Sequence, residues 1–174
     1  MKKIRSYRYI VSTVLTLCAF AFCITSCDGK ITEDYRDRAF RCLIYFDTPI
    51  GEVCAEICVG SEYDVSDNRL TMTIISPETL NGLKLSSKGV TSYGTAFETG
   101  TFQGLFEYAE LLIFDGQMKV VCKTEVNGSP AFFATAVNNN GDIAEIYIDK
   151  SNLTPMMIRS GDKEIRIDRF TYLP

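Results

Sequence analysis

The chain of 174 residues contains no histidine. This absence removes the side chain that most often serves as a general base near neutral pH and that most often binds zinc. The other patterns that could indicate a metal site or a catalytic site are weak. Cys54 and Cys58 have the wrong spacing for a zinc knuckle. The stretch 89–94 differs by one residue from a nucleophile elbow and has no histidine partner. We therefore predict that the protein is not an enzyme and that it uses no metal and no cofactor.

Clusters of basic residues are missing after the first ten positions. The segment 1–26 contains four of the 18 basic residues and none of the 22 acidic ones, so its removal changes the formal charge from −4 to −8. An acidic surface repels the phosphates of nucleic acids and of anionic lipids. The sequence thus predicts no nucleic-acid partner and no electrostatic docking to a membrane.

The first 26 residues have the pattern of an export signal. A basic head, MKKIRSYRYI, overlaps an uncharged run of 15 residues from Ile10 to Ile24, and small residues follow. This run is shorter than the roughly 20 residues that a membrane-spanning helix needs. We predict an N-terminal signal helix within 1–26.

The signal ends in Ile24-Thr25-Ser26-Cys27, which resembles the bacterial lipobox. The resemblance implies that the Cys27 thiol receives a diacylglyceryl group, and that residues 27–33 tether one domain, 34–174, to the extracytoplasmic side of a membrane. Two acyl chains suffice for stable anchoring, since each buried methylene contributes about 0.8 kcal/mol. An ordinary signal with an incidental cysteine, or a retained membrane anchor, are the alternatives.

The remaining sequence predicts a mainly-β fold. Apolar residues alternate along short segments separated by turn signals such as Asn127-Gly128. The predicted strands, about ten in number, are 42–48, 51–60, 70–76, 83–87, 90–94, 118–126, 130–138, 142–149, 155–160 and 163–172. Between the fifth and sixth, a stripe at helical spacing predicts an amphipathic helix over 102–113, formed by Phe102, Leu105, Phe106, Ala109, Leu112 and Ile113. We expect a curved antiparallel sheet, or an incomplete β-barrel, that this helix covers.

Strand pairing also predicts where the cysteines lie. If Phe46 pairs with Val53 and Ile44 with Ala55, one face is wholly apolar, and Cys42 lies on the face opposite Cys54 and Cys58. Cys122 shares the alternation of Val120, which predicts a core thiol. This arrangement favours no obligatory disulfide.

Large apolar side chains exceed what one sheet face and one helix stripe require. One interpretation is an apolar ligand cavity between the sheet and the helix; the other is a packed core, covered by the helix on one side and the N-terminal segment on the other. The candidate ligand-binding residues are Phe102, Leu105, Phe106, Ala109, Phe132, Phe133, Met156 and Met157.

Three stretches give the chain a resemblance to the LolA-like carriers and related bacterial lipoproteins: TIISPETLNGLKL (73–85), FQGLFEYAELLI (102–113) and NLTPMMIRSGDKEIRIDRF (152–170). The resemblance implies an open half-barrel that binds a lipid, an acyl chain or a lipidated partner without catalysis. Because a tethered protein cannot shuttle between membranes, an acceptor, sensor or structural role is more natural than a carrier role. The alternative is a scaffolding lipoprotein with a solid core, no small-molecule ligand and an unidentified protein partner.

Overall fold

The computed structural model describes residues 34–49, 51–60, 70–86, 89–92, 95–97, 102–138 and 141–174. The predicted signal helix (1–26), the lipidation site Cys27 and the tether lie outside the described residues, so these assignments stay predictions. The described residues belong to one compact unit, 31–174. None of their helices has both the length and the apolar character needed to cross a membrane.

Eleven strands and short helical segments make up the described fold. The strands are β1 Phe40–Thr48, β2 Gly51–Val59, β3 Leu70–Ser76, β4 Leu83–Ser86, β5 Gly89–Ser92, β6 Thr95–Phe97, β7 Lys119–Val126, β8 Ser129–Val137, β9 Ile143–Asp149, β10 Pro155–Ser160 and β11 Lys163–Tyr172. Helix α1, Gln103–Glu110, runs directly into a 3₁₀ turn, Leu111–Ile113, and further 3₁₀ turns span Tyr35–Asp37 and Glu78–Leu80.

All the strands join one antiparallel sheet in the order β6-β5-β4-β3-β2-β1-β11-β10-β9-β8-β7. The end strands β6 and β7 do not pair with each other in the described part of the chain, so the sheet stays open, and the predicted mainly-β, incomplete-barrel fold is confirmed. The strand number is eleven rather than ten because the predicted strands 83–87 and 90–94 correspond to β4 and β5, and a further short strand that was not predicted, β6, follows them.

The chain order explains why the helix lies on a face of the sheet. Strands β1 to β6 are added outward, after which the chain crosses to the opposite edge to begin β7 and returns strand by strand to β11, beside β1. Helix α1 lies in this crossover. Tyr108 of α1 stacks on Phe46 of β1, with ring centroids 4.3 Å apart, which holds the helix against the middle of the sheet.

One face of the sheet, here called the inner face, carries the core. The predicted pairs Phe46 with Val53 and Ile44 with Ala55 are confirmed, and all four side chains are buried. Alternation along strands explains this division, because successive side chains point to opposite faces. The opposite face is called the outer face below.

The helical stripe is largely as predicted, with one error at its end. Phe106, Ala109 and Leu112 are buried in the core, but Ile113 is exposed and Leu111 is buried in its place. The reason is the change from α-helix to 3₁₀ turn at Leu111. A 3₁₀ turn has 3.0 residues rather than 3.6 per turn, so the last side chains rotate relative to an α-helical stripe.

Strand irregularity also moves one cysteine. Cys42 is buried on the inner face, as predicted, where burial raises the pKa of its thiol to about 12 and keeps it protonated near neutral pH. The prediction that Cys122 is a core thiol is wrong: it is half-buried and pairs with Phe133, whereas Val120 pairs with Ala134. The register shift between Val120 and Cys122 turns Cys122 to the outer face, as a β-bulge does.

Candidate functional site

Five of the eight predicted ligand-binding residues lie on the inner side of the sheet or on the helix that covers it. Phe106 and Ala109 are buried in the core, whereas Phe102, Leu105 and Phe132 pack against that core but stay partly exposed. These last three define the apolar rim of the helix-covered face. The helix has only eight residues, so it does not enclose these side chains completely.

The other three predicted residues are not part of this group. Phe133 lies on the outer face, where its ring contacts that of Tyr147 at a centroid distance of 5.3 Å, and Met157 pairs with the same tyrosine. Met156 is half-buried at the register shift that follows Pro155. The structure therefore divides the predicted set between the two faces.

Two further residues, outside the predicted ligand-binding set, extend the apolar rim. Phe114 and Met118 follow the helix and also pack, partly buried, against the core. They lie in the connection between α1 and β7, although Met118 belongs to the predicted strand 118–126. Only their apolar character could have identified them.

The start of the domain is fixed to this connection. Asp34 caps the first 3₁₀ turn by accepting a hydrogen bond from the backbone N–H of Arg36, at 3.0 Å, and pairs with the Arg36 guanidinium. The same guanidinium donates to the backbone carbonyl of Phe114. Burial raises the pKa of the Asp34 carboxyl, but the hydrogen bonds and charge of Arg36 outweigh it, so the pKa is lowered overall.

Tyr35 lies next to this ion pair and is fully buried. Its ring makes edge-to-face contacts with Phe40 and Phe170 at centroid distances of 5.9 and 6.0 Å. Its hydroxyl has no hydrogen-bond partner among the described residues, and burial raises the pKa of the phenol above its usual value. A buried polar group without a partner carries a cost of about 1–3 kcal/mol.

A second feature, an open groove of about 830 Å³, lies at one end of the sheet. Three segments form it: the end of α1 with its 3₁₀ turn and residues 114–115, the described residues 138 and 141–143 of the β8–β9 turn and its flanks, and the β10–β11 turn. Its apolar lining residues are Leu111, Ile113, Phe114 and Ile143, and its charged ones are Glu107, Glu110, Asp115, Asp142, Asp162 and Lys163. We call this feature the terminal groove.

The terminal groove has a strongly negative lining, with five carboxylates and one ammonium group. The ammonium group, Lys163, is already paired with Glu107, at 2.9 Å. Partial burial and then the nearby charge of Glu107 raise the pKa of Glu110. Acidic side chains therefore outnumber basic ones in the described lining of the groove.

The walls of the terminal groove are held by short contacts. The Ser160 hydroxyl donates to the Ile143 carbonyl at 2.9 Å and joins two of the three segments. Asn138 and Asp142 exchange hydrogen bonds of 2.9 Å across the β8–β9 turn. Gly116 packs so closely on β8 that a Cβ atom there would lie 2.2 Å from the Val137 carbonyl oxygen.

In the part of the chain that the structure describes, no group of three or more Cys, Asp or Glu side chains is arranged to hold a metal ion. On the outer face, Arg166 pairs with Glu52, and Arg159 lies 2.5 Å from Glu164. These pairs are exposed and contribute little to stability. They are consistent with a solvated face.

No protein-family model and no curated protein sequence matches the chain. Among solved structures, it is similar to an uncharacterized conserved protein from Thermus thermophilus, with 11% identity and a TM-score of 0.46 over 78% of this chain and 79% of the other. It is also similar to MucB, a Pseudomonas aeruginosa protein, with 13% identity and a TM-score of 0.47 over 78% of this chain and 54% of MucB. A third similar structure is a LolA superfamily protein from Nitrosomonas europaea, with 9% identity and a TM-score of 0.37 over 77% of this chain and 84% of the other. The function of this chain has to be inferred from its own geometry.

Proposed function

We propose that the protein is a non-catalytic lipoprotein, anchored through Cys27 on the extracytoplasmic side of a membrane, that binds the acyl chain of a lipid or of a lipidated partner beside helix α1. The observation that carries this proposal is the apolar rim. Phe102, Leu105 and Phe132 pack against the core and remain partly exposed beside a helix of only eight residues. An acyl chain laid along them would remove both its own surface and theirs from water, at about 25 cal/mol per Å².

The tether length suits this role. From Cys27 to Asp34 the chain spans at most roughly 25 Å when fully extended. The domain would therefore stay close to the membrane surface, where acyl groups are concentrated. A tethered acceptor or sensor fits this arrangement better than a carrier that travels between membranes.

One labelling experiment tests both the anchor and the acyl site. Cells that produce the full chain are supplied with a fatty acid that carries a photoreactive group and a chemical handle. Label that appears without light reports acylation at Cys27 and should disappear in Cys27→Ala. Label that requires light should map by mass spectrometry to peptides that contain the helix α1 segment or Phe132.

A pair of matched variants separates binding from general hydrophobic labelling. Leu105→Asp places a charge in the apolar rim and should reduce light-dependent labelling about tenfold, because a carboxylate against an acyl chain loses its hydration. Ile75→Asp makes the same change at an exposed residue of β3 and should leave labelling unchanged. Circular dichroism checks that both variants fold. Equal labelling in wild type and Leu105→Asp would refute the acyl site.

The second candidate function is a protein-binding module with a solid core. The observation that favours it is the terminal groove, which combines exposed aliphatic side chains with negative charge. A module of this kind needs no acyl ligand. Both functions can exist in one chain, because the apolar rim and the groove use different residues except near Phe114.

A further inference from the structure

Exposed aliphatic side chains concentrate at the terminal groove. Five large aliphatic residues are exposed in the described part of the chain, and three of them lie at this end of the sheet: Ile113, Ile143 and Val137. Ile113 and Ile143 line the groove, with 38% and 56% of their surface exposed, and Val137 pairs with Ile143 across β8 and β9. Exposed aliphatic side chains grouped in this way favour a ligand that has apolar groups of its own.

The negative charge of the groove indicates which chemical class of ligand can bind there. Carboxylates from three separate segments line the groove together with Ile113 and Ile143, and the charge of Glu110 is disfavoured by partial burial and by repulsion from Glu107. A cationic group placed beside Glu110 would relieve that repulsion. Phosphate-rich partners would be repelled, and a small cation alone would leave Ile113 and Ile143 uncovered.

The groove is also built in advance of binding. Hydrogen bonds within the β8–β9 turn and between Ser160 and Ile143 hold two of its walls, and the contact of Gly116 with Val137 holds the third. A preformed site loses little conformational entropy when it is occupied. Little of the binding free energy would therefore be spent on ordering the groove.

We propose that the terminal groove binds a segment of a protein partner in which lysine or arginine side chains flank aliphatic ones. The aliphatic side chains of the segment would cover Ile113 and Ile143, and its basic side chains would pair with Glu110 and Asp162. This inference rests on the second candidate function, that of a protein-binding module, and names its site and partner. It does not depend on the acyl site.

Calorimetric titration of the full chain, held in discs of zwitterionic lipid, tests the proposal. The probe is a short synthetic peptide in which lysine alternates with leucine, and three further probes serve as controls: glutamate in place of lysine, serine in place of leucine, and spermine. The lysine–leucine peptide should bind, with an affinity that falls as salt is added, because screening weakens the charge pairs. The three control probes should bind at least about tenfold more weakly.

Variants locate the binding site. The double variant Glu110→Gln with Asp162→Asn should weaken the lysine–leucine peptide about tenfold, the size expected for loss of charge-assisted hydrogen bonds. Ile143→Ser should weaken it by about threefold or more, because apolar contact is lost. The matched controls, Glu125→Gln and Val121→Ser, change exposed residues of β7 and should have no effect.

Three results would overturn the proposal: no binding of the lysine–leucine peptide, equal binding of spermine, or equal affinities in the groove variants and their controls. Absence of peptide binding, or equal affinities in the groove variants and their controls, would leave light-dependent acyl labelling beside α1 unchanged. A failure at the groove is therefore distinguishable from a failure at the acyl site. Light-independent label at Cys27 reports the anchor separately from both.

Discussion

Replacing Gly116 with alanine should strongly destabilise the domain, and the structure gives the size of the effect. Gly116 has a φ of +125°, and a Cβ atom there would lie 2.2 Å from the carbonyl oxygen and 2.7 Å from the carbonyl carbon of Val137. A backbone conformation that L side chains rarely adopt costs about 1–3 kcal/mol. Forcing the β8 backbone away costs about 1–3 kcal/mol more, as overpacking does, so we expect a loss of about 2–6 kcal/mol in the free energy of unfolding.

Variants at two other glycines distinguish the cost of backbone strain from the cost of steric overlap. Gly128 also has a positive φ, +81°, but a Cβ atom there would meet nothing within 4 Å, so Gly128→Ala should cost only the strain of about 1–2 kcal/mol. Gly104 lies in helix α1 with open space around it. Gly104→Ala should therefore stabilise the domain by about 0.5–1 kcal/mol through helix propensity.

Urea unfolding of the full chain in a mild detergent, followed by far-ultraviolet circular dichroism, measures all three variants. Circular dichroism is preferable to intrinsic fluorescence because the chain has no tryptophan. If Gly116→Ala and Gly128→Ala lose the same free energy of unfolding, the added methyl group at Gly116 meets no resistance from Val137. That result would refute the claim that this contact holds the groove wall rigid. A loss for Gly104→Ala would contradict the placement of that residue in an open helix.

Two further predictions concern the start of the domain. Tyr35→Phe removes a buried hydroxyl that has no partner among the described residues, and should raise the free energy of unfolding by up to about 1–3 kcal/mol; a loss of stability in urea would mean that the hydroxyl is bonded. The folded-state pKa of Asp34 is lowered, so its contribution is present above its unfolded pKa and is lost as pH falls through the folded pKa. Between about pH 5 and about pH 2, Asp34→Asn should therefore lose less stability than wild type does, and equal losses in acid urea titrations would contradict the ion pair with Arg36.

Local patterns predicted those parts of the fold that repeat with a fixed period. The pairing of β1 with β2 followed from alternation alone, because a shift of one residue would have moved Ile44 and Phe46 to the solvent side. Helix α1 followed in the same way from the spacing of Phe106 and Ala109. Both features depend on neighbours in sequence, which a single chain displays directly.

The errors occur where the period changes. The bulge in β7 places Cys122 on the outer face. The 3₁₀ turn after α1 buries Leu111 instead of Ile113. Neither irregularity contains a glycine or a proline, so no residue in the sequence predicts where it occurs. The terminal groove was missed for another reason: its walls come from segments around positions 113, 142 and 162, which only the return of the chain through β8 to β11 brings together.

The connection after helix α1 limits which variants can distinguish the two proposed sites. Phe114 packs partly buried against the core, lines the terminal groove, and accepts the hydrogen bond from Arg36 at the start of the domain. A substitution there would disturb the apolar rim, the groove and the N-terminal contact at once. Leu105 belongs to the rim alone and Ile143 to the groove alone. Acyl labelling that responds to Leu105→Asp but not to Ile143→Ser, with the reverse for peptide binding, would therefore establish two separate sites, and a response of both readouts to both variants would refute that separation.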